Sequence, residues 1–328
     1  MVQLSIIYEG ESVEIDFNPN KVNWKNQNYG QYSYEGYYVP EIGETIFVKR
    51  HRVETDSAEL ICGFRDSESD CPYMPKIYGF YTIESGQEKH VSYIFMEMLP
   101  GSPLSEKLKT VTRNDCYEIL ETVLFSLQEI TKYDHWFSDL DFRNVMFYKD
   151  DEYRFAWLID IDSCLPSSTN FQSFLLNRGE HTNVNERYWG CVVKTAKDMG
   201  NFRQLSGKTV SQAAFIYFAV DLYFRTTYPN HPFNLKPQDL FKLMEKGGRY
   251  LAEDIRTQWF SLHDQLAENP EDGIDWKKLD TFVTDMFQFP RRLDAPKPTK
   301  SEEIVTKGEE IVVKAASGIL GKVISLFR

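Results

Sequence analysis

The spacing of apolar residues changes near residue 104, and this change constrains the fold more than any other feature of the sequence. Between residues 1 and 100, short β-branched and aromatic segments alternate in polarity and are separated by Gly, Asn or Pro, which predicts β-strands. These segments are LSIIYEG, ESVEIDF, YSYEGYYV, ETIFVKR and HVSYIFMEM. The intervening TDSAELICGFRDSES has helical spacing, with Thr55 or Asp56 as candidate N-caps, and predicts one helix among the strands.

Beyond residue 104 the apolar residues follow a helical period. TRNDCYEILETVLFSLQEITKY carries one apolar stripe, and VSQAAFIYFAVDLYF is apolar almost all round, which predicts a buried helix. Further helices are predicted in PQDLFKLMEKGGRYLAEDIRTQWFSLHDQLAE and DWKKLDTFVTDMFQF. The sequence therefore predicts an α+β fold of two lobes, with a cleft where they join near MLPGSPL.

The same patterns give the expected organisation of the chain. Residues 1–99 form a β-rich lobe and residues 100–289 a helical lobe, followed by a linker rich in proline and charge at 290–301. Residues 302–328 repeat apolar side chains at a helical spacing and predict an amphipathic C-terminal helix. This helix is expected to pack on the domain or on a second copy, or alternatively to dock to a partner protein or a membrane surface.

Charge and cysteine content limit the class of protein. The chain of 328 residues has 37 basic and 49 acidic residues, a net charge of −12, which argues against nucleic acid as a partner. Its 5 cysteines lack C-x-x-C pairs and zinc spacing, which indicates structural thiols in a reducing compartment. The N-terminal segment has no signal-peptide pattern, and no apolar run reaches the ~20 residues that span a bilayer. We therefore expect a cytoplasmic protein.

Acidic residues occupy unexpected places in FSDLDFRNVMFYKDDEYRFAWLIDIDSC, residues 137–164. Asp139 and Asn144 follow the long helix as D-x-x-x-x-N, and the strand-like FAWLID ends on Asp160. A helix, loop and hairpin would place all three at one mouth of the hairpin, where oxygen ligands suit Mg²⁺ and a further carboxylate suits deprotonation of a hydroxyl. Taken singly, each residue could instead be a cap or a turn former.

A second unusual residue is Lys49, which lies within the apolar strand TIFVKRH. A buried lysine requires an anion, and Glu59 on the single helix of the first half is the nearest candidate. The strand SYIFMEMLPGSPL breaks at Pro100 and Gly101, as a connector between lobes should.

Together these residues resemble the protein-kinase fold over about residues 20 to 290. By that resemblance, Lys49 holds the nucleotide phosphates with Glu59 as its helix partner. Met96 is similar to the gatekeeper residue, and the hinge that binds adenine is expected at Glu97, Met98 and Leu99.

The catalytic segments also resemble those of protein kinases. FSDLDFRN is similar to the loop H-R-D-L-x-x-x-N, which makes Asp139 the expected base and Asn144 a metal ligand. LIDID resembles the strand and D-F-G turn, which makes Asp160 the main Mg²⁺ ligand. The resemblance implies ATP and Mg²⁺ as cofactors, with Mn²⁺ as an alternative ion.

Several positions depart from the family pattern. The glycine-rich phosphate loop is reduced to Gly30 and Gly36 in NQNYGQYSYEGYYV, which puts tight nucleotide binding in doubt. Ser138 replaces the arginine that grips a phosphorylated activation loop, so we expect no such switch. Ser211 stands where a buried aspartate usually braces the catalytic loop.

Two departures bear on charge at the site. Arg143 could supply the cation that family members place on this loop, or it could be a solvated or Asp141-paired side chain. Asp162 replaces the glycine of D-F-G, either as a second metal ligand or as a turn former.

Three functions remain open on this sequence. The first expectation is an atypical protein kinase that transfers the γ-phosphate of ATP to a protein hydroxyl. The alternatives are a kinase of a sugar or lipid hydroxyl, favoured by the D-x-D turn, and a catalytically inactive pseudokinase that serves as a scaffold.

Overall fold

A computed structural model of the chain describes residues 2–22, 24–26, 32–51, 57–66, 71–82, 91–169, 188–227, 237–246 and 251–287. Within these ranges the protein has a β-rich N-terminal region and a helical C-terminal region, and its sheets are antiparallel. The predicted linker at 290–301 and the predicted helix at 302–328 lie outside the described residues.

The N-terminal region consists of β1 (Val2–Tyr8), β2 (Glu11–Phe17), β3 (Lys25–Asn26), β4 (Tyr32–Val39), β5 (Glu44–His51), α1 (Ala58–Asp66), β6 (Ile77–Thr82) and β7 (Ser92–Met96). Strands β1 and β2 form a hairpin, and the other five strands form one sheet in the order β3-β4-β5-β7-β6. The strands and the helix expected in this region are confirmed. Strand β6 was not predicted.

Side chains of the central strands alternate between two environments. Val48 of β5 lies opposite Phe95 of β7, and both join the apolar cluster formed with the β1–β2 hairpin. Lys49 lies opposite Ile94, which belongs to the larger core shared with α1 and the C-terminal region. The period-2 alternation of a strand therefore turns Lys49 away from the hairpin and toward the C-terminal region.

The C-terminal region consists of β8 (Ser102–Pro103), α2 (Leu104–Lys107), α3 (Arg113–Lys132), β9 (His135–Phe137), β10 (Val145–Lys149), β11 (Arg154–Leu158), β12 (Cys164–Pro166), α4 (Gly190–Asp198), α5 (Gly207–Thr227), α6 (Pro237–Lys246), α7 (Glu253–Glu268) and α8 (Trp276–Phe287). Helix α3 begins with a capping box in which Thr112 and Asp115 satisfy each other's backbone N–H groups. Helix α5 is buried along most of its length, as its all-round apolar sequence predicted. None of the helices in the described ranges is both long and apolar enough to cross a bilayer.

Two strand pairs build the frame of the candidate site. Strands β10 and β11 form the predicted hairpin, with Val145 opposite Leu158. Strands β9 and β12 also pair, with Phe137 opposite Cys164. The first pair brings the residues before β10 next to those after β11, and the second fixes the same two segments from the other side.

Gly101 makes a tight backbone contact beside this frame. Its φ is +99°, and a Cβ built there would lie 2.5 Å from the carbonyl oxygen of Phe147. Only glycine has access to this conformation without strain, and the approach leaves no room for a methyl group. The break predicted at Pro100 and Gly101 is therefore also a packing constraint.

We expect Gly101→Ala to lower the free energy of unfolding by about 3 kcal/mol, because it adds a backbone clash to the strain of a positive φ. Gly200→Ala is the matched control, since Gly200 has a φ of +80° and no atom lies within 4 Å of the position that a Cβ would take there. The control should lose only about 1 kcal/mol, which is the cost of the backbone conformation. Urea denaturation of the two variants measures the difference, and equal losses would contradict the proposed clash.

Candidate active site

Lys49 and the turn after β11 meet across the boundary between the two regions. The ammonium group of Lys49 contacts a carboxylate oxygen of Asp160. It also lies 2.6 Å from Oδ1 and 2.5 Å from Oδ2 of Asp162. Lys49 is only 1% exposed, so its charge depends on these carboxylates for compensation. The structure thus brings together residues more than a hundred positions apart in the chain.

Residues 160–163, here called the acidic turn, have an unusual backbone. Asp160 adopts the left-handed conformation, with φ 68° and ψ 36°, which costs a non-glycine residue about 1–2 kcal/mol. Local hydrogen bonds stabilise the conformation: the N–H of Ser163 donates to the Asp160 carbonyl at 2.8 Å, and the Ser163 hydroxyl donates to Asp160 Oδ2 at 3.1 Å. Backbone strain that the surroundings maintain in this way is concentrated at functional sites.

Serine hydroxyls attach the acidic turn to its neighbours. Ser57, just before α1, donates to the carbonyl oxygens of Asp162 at 2.9 Å and Cys164 at 2.5 Å. Ser138 donates to the carbonyl of Ser163 at 2.6 Å. Each of these serines is buried, so the bonds are shielded from competing water. The turn is consequently fixed both to the start of α1 and to the segment that carries Asp139.

Ser211 braces the same segment from helix α5. Its hydroxyl oxygen accepts a hydrogen bond from the backbone N–H of Phe137 at 3.2 Å and lies 3.5 Å from the carbonyl of Phe137. Phe137 stands two residues before Asp139, so the serine supports this loop from helix α5.

Asp139 and Asn144 lie side by side, as the sequence predicted. The amide nitrogen of Asn144 donates to the Asp139 carbonyl at 2.7 Å and to its Oδ2 at 3.0 Å. Burial, together with the negative charge of Asp160, raises the pKa of Asp139 to about 7, and the Asn144 hydrogen bond opposes this rise. A carboxylate with a pKa near neutrality is suited to accept a proton at physiological pH.

Arg143 makes an ion pair on the edge of this loop. Its Nε lies 3.0 Å from Oδ1 of Asp141, and its side chain is 66% exposed. The charge of Asp141, ahead of weaker contributions from Asp139 and Asp160, raises the pKa of the guanidinium. The Asp141-paired alternative is therefore the observed one. Because the guanidinium of Arg143 is exposed near Asp139 and Asp160, it can still contact a ligand that approaches from solvent.

Glu59 is not brought to the site, which corrects the expected ion pair with Lys49. Its side chain is exposed on α1, whereas Leu60 and Ile61 on the same helix are buried. Residues two positions apart on a helix lie about 200° apart around its axis. Because Ser57 and Ile61 face the protein, Glu59 points away from it, and Lys49 contacts the carboxylates of the acidic turn instead.

The segment expected to bind adenine follows β7. Met96 is buried, and the N–H of Glu97 donates to the carbonyl of Lys76 at 2.9 Å. The Glu97 carboxylate accepts the N–H of Lys76 at 3.1 Å, which ties this segment to the residue before β6. The half-buried Leu99 follows two residues later. Adenine binding by Glu97 and Leu99 stays a prediction, and Gly30 lies outside the described residues.

The oxygen donors of the site fit a magnesium ion that a nucleotide would share. Within the described ranges, no group of three or more His, Cys, Asp or Glu side chains is arranged to hold a metal unaided. Mg²⁺ does not require one, because it commonly binds one or two protein oxygens together with phosphates and water. Asp160 and Asn144 offer such oxygens, and the mutual repulsion of Asp139 and Asp160 would be relieved by a cation.

Comparison with known proteins adds no relative to this description: no protein-family model matches the chain, and no curated protein matches it significantly. The arguments on function therefore depend on the chain's own residues and their geometry.

The fully buried carboxylate that pairs with Lys49 could not be identified from the sequence. Asp162 occupies that position, and its side chain is 0% exposed. Ser57 and Ser138 were likewise not predicted to bond the acidic turn. For Asp162, the available signal was an acidic residue within an apolar segment. For Ser57 and Ser138 the sequence gives no such signal, because a single serine belongs to no periodic pattern that would indicate its hydrogen-bond partner.

We expect Asp139→Asn to stabilise the protein above neutral pH. The pKa of Asp139 is about 7 in the folded protein against an ordinary value of 3.8, so the folded state binds the proton more tightly. The resulting stabilisation is complete below about pH 4 and is lost as the pH rises through about 7. Through this group, the wild type loses at most about 4 kcal/mol of its free energy of unfolding between acidic and alkaline pH.

Thermal melting of the wild type and Asp139→Asn between about pH 4 and 9 measures this effect. The variant should gain melting temperature relative to the wild type as the pH rises, since asparagine cannot ionise. The exposed Asp151, between β10 and β11 at the far end of the hairpin, provides the control Asp151→Asn, which should show no such trend. A constant difference between Asp139→Asn and the wild type would refute the raised pKa.

Proposed function

We propose that this protein is an ATP- and Mg²⁺-dependent phosphotransferase of protein-kinase-like fold. Its acceptor is a hydroxyl group, and a protein hydroxyl is the acceptor that we favour. The observation that carries the proposal is the contact of the Lys49 ammonium with Asp160, beside Asp139 and Asn144. An amine, two carboxylates and an amide from three chain segments converge at one place. Protein kinases use such a set of groups for phosphoryl transfer.

The N-terminal and C-terminal regions would then correspond to the two lobes of the family. Lys49 comes from the sheet of the first region, whereas Asp139, Asn144 and Asp160 come from the second. A nucleotide placed at their meeting point would lie between β5 and the acidic turn, next to the segment after β7. This placement agrees with the order of motifs in the sequence.

Each side chain has a distinct task in the proposed reaction. Lys49 would neutralise charge on the nucleotide phosphates, and Asp160 with Asn144 would hold the ion. Bound Mg²⁺ supplies charge neutralisation of the phosphoryl oxygens in the transition state. Asp139 would accept the proton of the attacking hydroxyl as its oxygen bonds to the γ-phosphorus and ADP departs. Arg143, exposed beside the loop, would attract the phosphates or the acceptor.

One observation favours an inactive scaffold as the second candidate. Lys49 is buried against two carboxylates, and a nucleotide must compete with them for its ammonium group. If that competition fails, the site would hold the two regions together without binding ATP.

Melting with and without ATP and Mg²⁺ separates the two candidates. A nucleotide at 100 times its Kd should stabilise the wild type by about 2.7 kcal/mol, because it binds only the folded state. Lys49→Met should abolish the shift, since it removes the cation that faces the phosphates, whereas Asp151→Asn should retain it. A wild type with no shift at millimolar ATP and Mg²⁺ would support the scaffold.

Transfer of radiolabelled γ-phosphate tests the chemistry itself. Asp139→Asn should lower the rate by about 10²- to 10⁴-fold, the usual contribution of a positioned base, while the nucleotide-induced melting shift persists. Asp160→Asn should lose both the transfer and the Mg²⁺ dependence of binding. Undiminished transfer in Asp139→Asn would contradict its role. Label recovered on protein, rather than on a small metabolite, identifies the class of acceptor.

A further inference from the structure

The two carboxylates that contact Lys49 differ in their exposure to solvent. The side chain of Asp162 is 0% exposed, whereas that of Asp160 is 17% exposed. A ligand from solvent can therefore reach Asp160 but not Asp162. A fully buried carboxylate is stable as an anion only with a partner, and the ammonium of Lys49 lies 2.6 Å from its Oδ1.

The backbone of Asp162 is fixed independently of this ion pair. Its carbonyl oxygen accepts the Ser57 hydroxyl at 2.9 Å, and the next carbonyl along the chain, that of Ser163, accepts the Ser138 hydroxyl. The carboxylate thus projects from an anchored backbone. Glu59, the helix residue expected to hold Lys49, is exposed on the outer face of α1.

We propose that Asp162 is the residue that positions Lys49 for the nucleotide phosphates, in place of a helix glutamate. The inference rests on the proposed function, because it assigns the orientation of the lysine that the phosphates would meet. Asp160 is then the exchangeable partner, which turns to a cation when one is bound, and Asp162 is the permanent one. The turn that carries the metal ligand also carries the positioning residue, so both depend on the same backbone.

The ion pair is tested first without nucleotide, by two double-mutant cycles on melting temperature. One cycle combines Lys49→Met with Asp162→Asn, and the other combines Lys49→Met with Glu59→Gln. Asp162→Asn should lower the melting temperature in the presence of Lys49 but raise it in Lys49→Met, because there the fully buried carboxylate has lost its cationic partner. Glu59→Gln should have the same small effect in both backgrounds. Additive effects in the first cycle, or coupling in the second, would overturn the pairing.

Positioning is tested by comparing ATP–Mg²⁺ with adenosine as ligands of the full-length protein. Asp162→Asn should weaken ATP–Mg²⁺ binding by about ten-fold or more, the scale of one charge-assisted hydrogen bond, and leave adenosine binding unchanged. A residue that only supports the fold would weaken both ligands alike. Glu59→Gln should change neither affinity.

The remaining outcomes are also decisive. Tighter ATP–Mg²⁺ binding by Asp162→Asn would show that Asp162 withholds Lys49 from the nucleotide, which overturns the proposal. If the wild type binds no ATP while the first cycle shows coupling, the proposed function fails and Asp162 is a structural counter-ion. If Asp162→Asn does not fold, Asp162→Glu replaces it, because this variant keeps the negative charge on a side chain that is one methylene longer. The proposal then requires that Asp162→Glu change the affinity for ATP–Mg²⁺ and leave the affinity for adenosine unchanged.

Discussion

The ammonium of Lys49 lies on a face of the sheet where strand alternation would otherwise place an apolar side chain, and its charge must be compensated within the protein. The compensating carboxylates, Asp160 and Asp162, come from the turn that follows β11. The β-rich region and the helical region are therefore joined through charge as well as through the apolar core. If either partner is removed, a buried charge remains that water cannot reach, so the pair constrains both regions at once.

The backbone around the carboxylates is held mainly by neutral hydroxyl groups. Ser57, Ser138 and Ser211 approach from the start of α1, from the segment after β9 and from α5. Hydroxyl to carbonyl bonds fix the chain without adding further charge to a site that already holds several carboxylates. They also keep Asp160 in a conformation that it would not adopt in isolation. The raised pKa of Asp139 shows the same conflict between local stability and an arrangement suited to chemistry.

Periodic features could be predicted from the sequence, whereas features that depend on a single side chain could not. The alternating strands, the stripe on α3 and the all-round apolar α5 follow from patterns over many residues, and the D-x-x-x-x-N spacing correctly placed Asp139 beside Asn144. Strand β6 was missed because a register shift between Ile77 and Gly79 interrupts its alternation, and helix α4 was not predicted either. Glu59 was assigned to Lys49 by residue type, but the rotation of α1 about its axis, which exposes Glu59, depends on how Ser57 and Ile61 pack.

The alternation of Val48 and Lys49 along β5 has a consequence for how the sheet assembles. Were β5 to slip by one residue against β7, Val48 would face the carboxylates and the ammonium would enter the apolar cluster beneath the β1–β2 hairpin. Such a misaligned sheet would carry an uncompensated cation on one face and uncompensated anions on the other. The charge of Lys49 thus destabilises the misaligned pairing of β5 with β7 relative to the native one, and it would do so before any ligand is present.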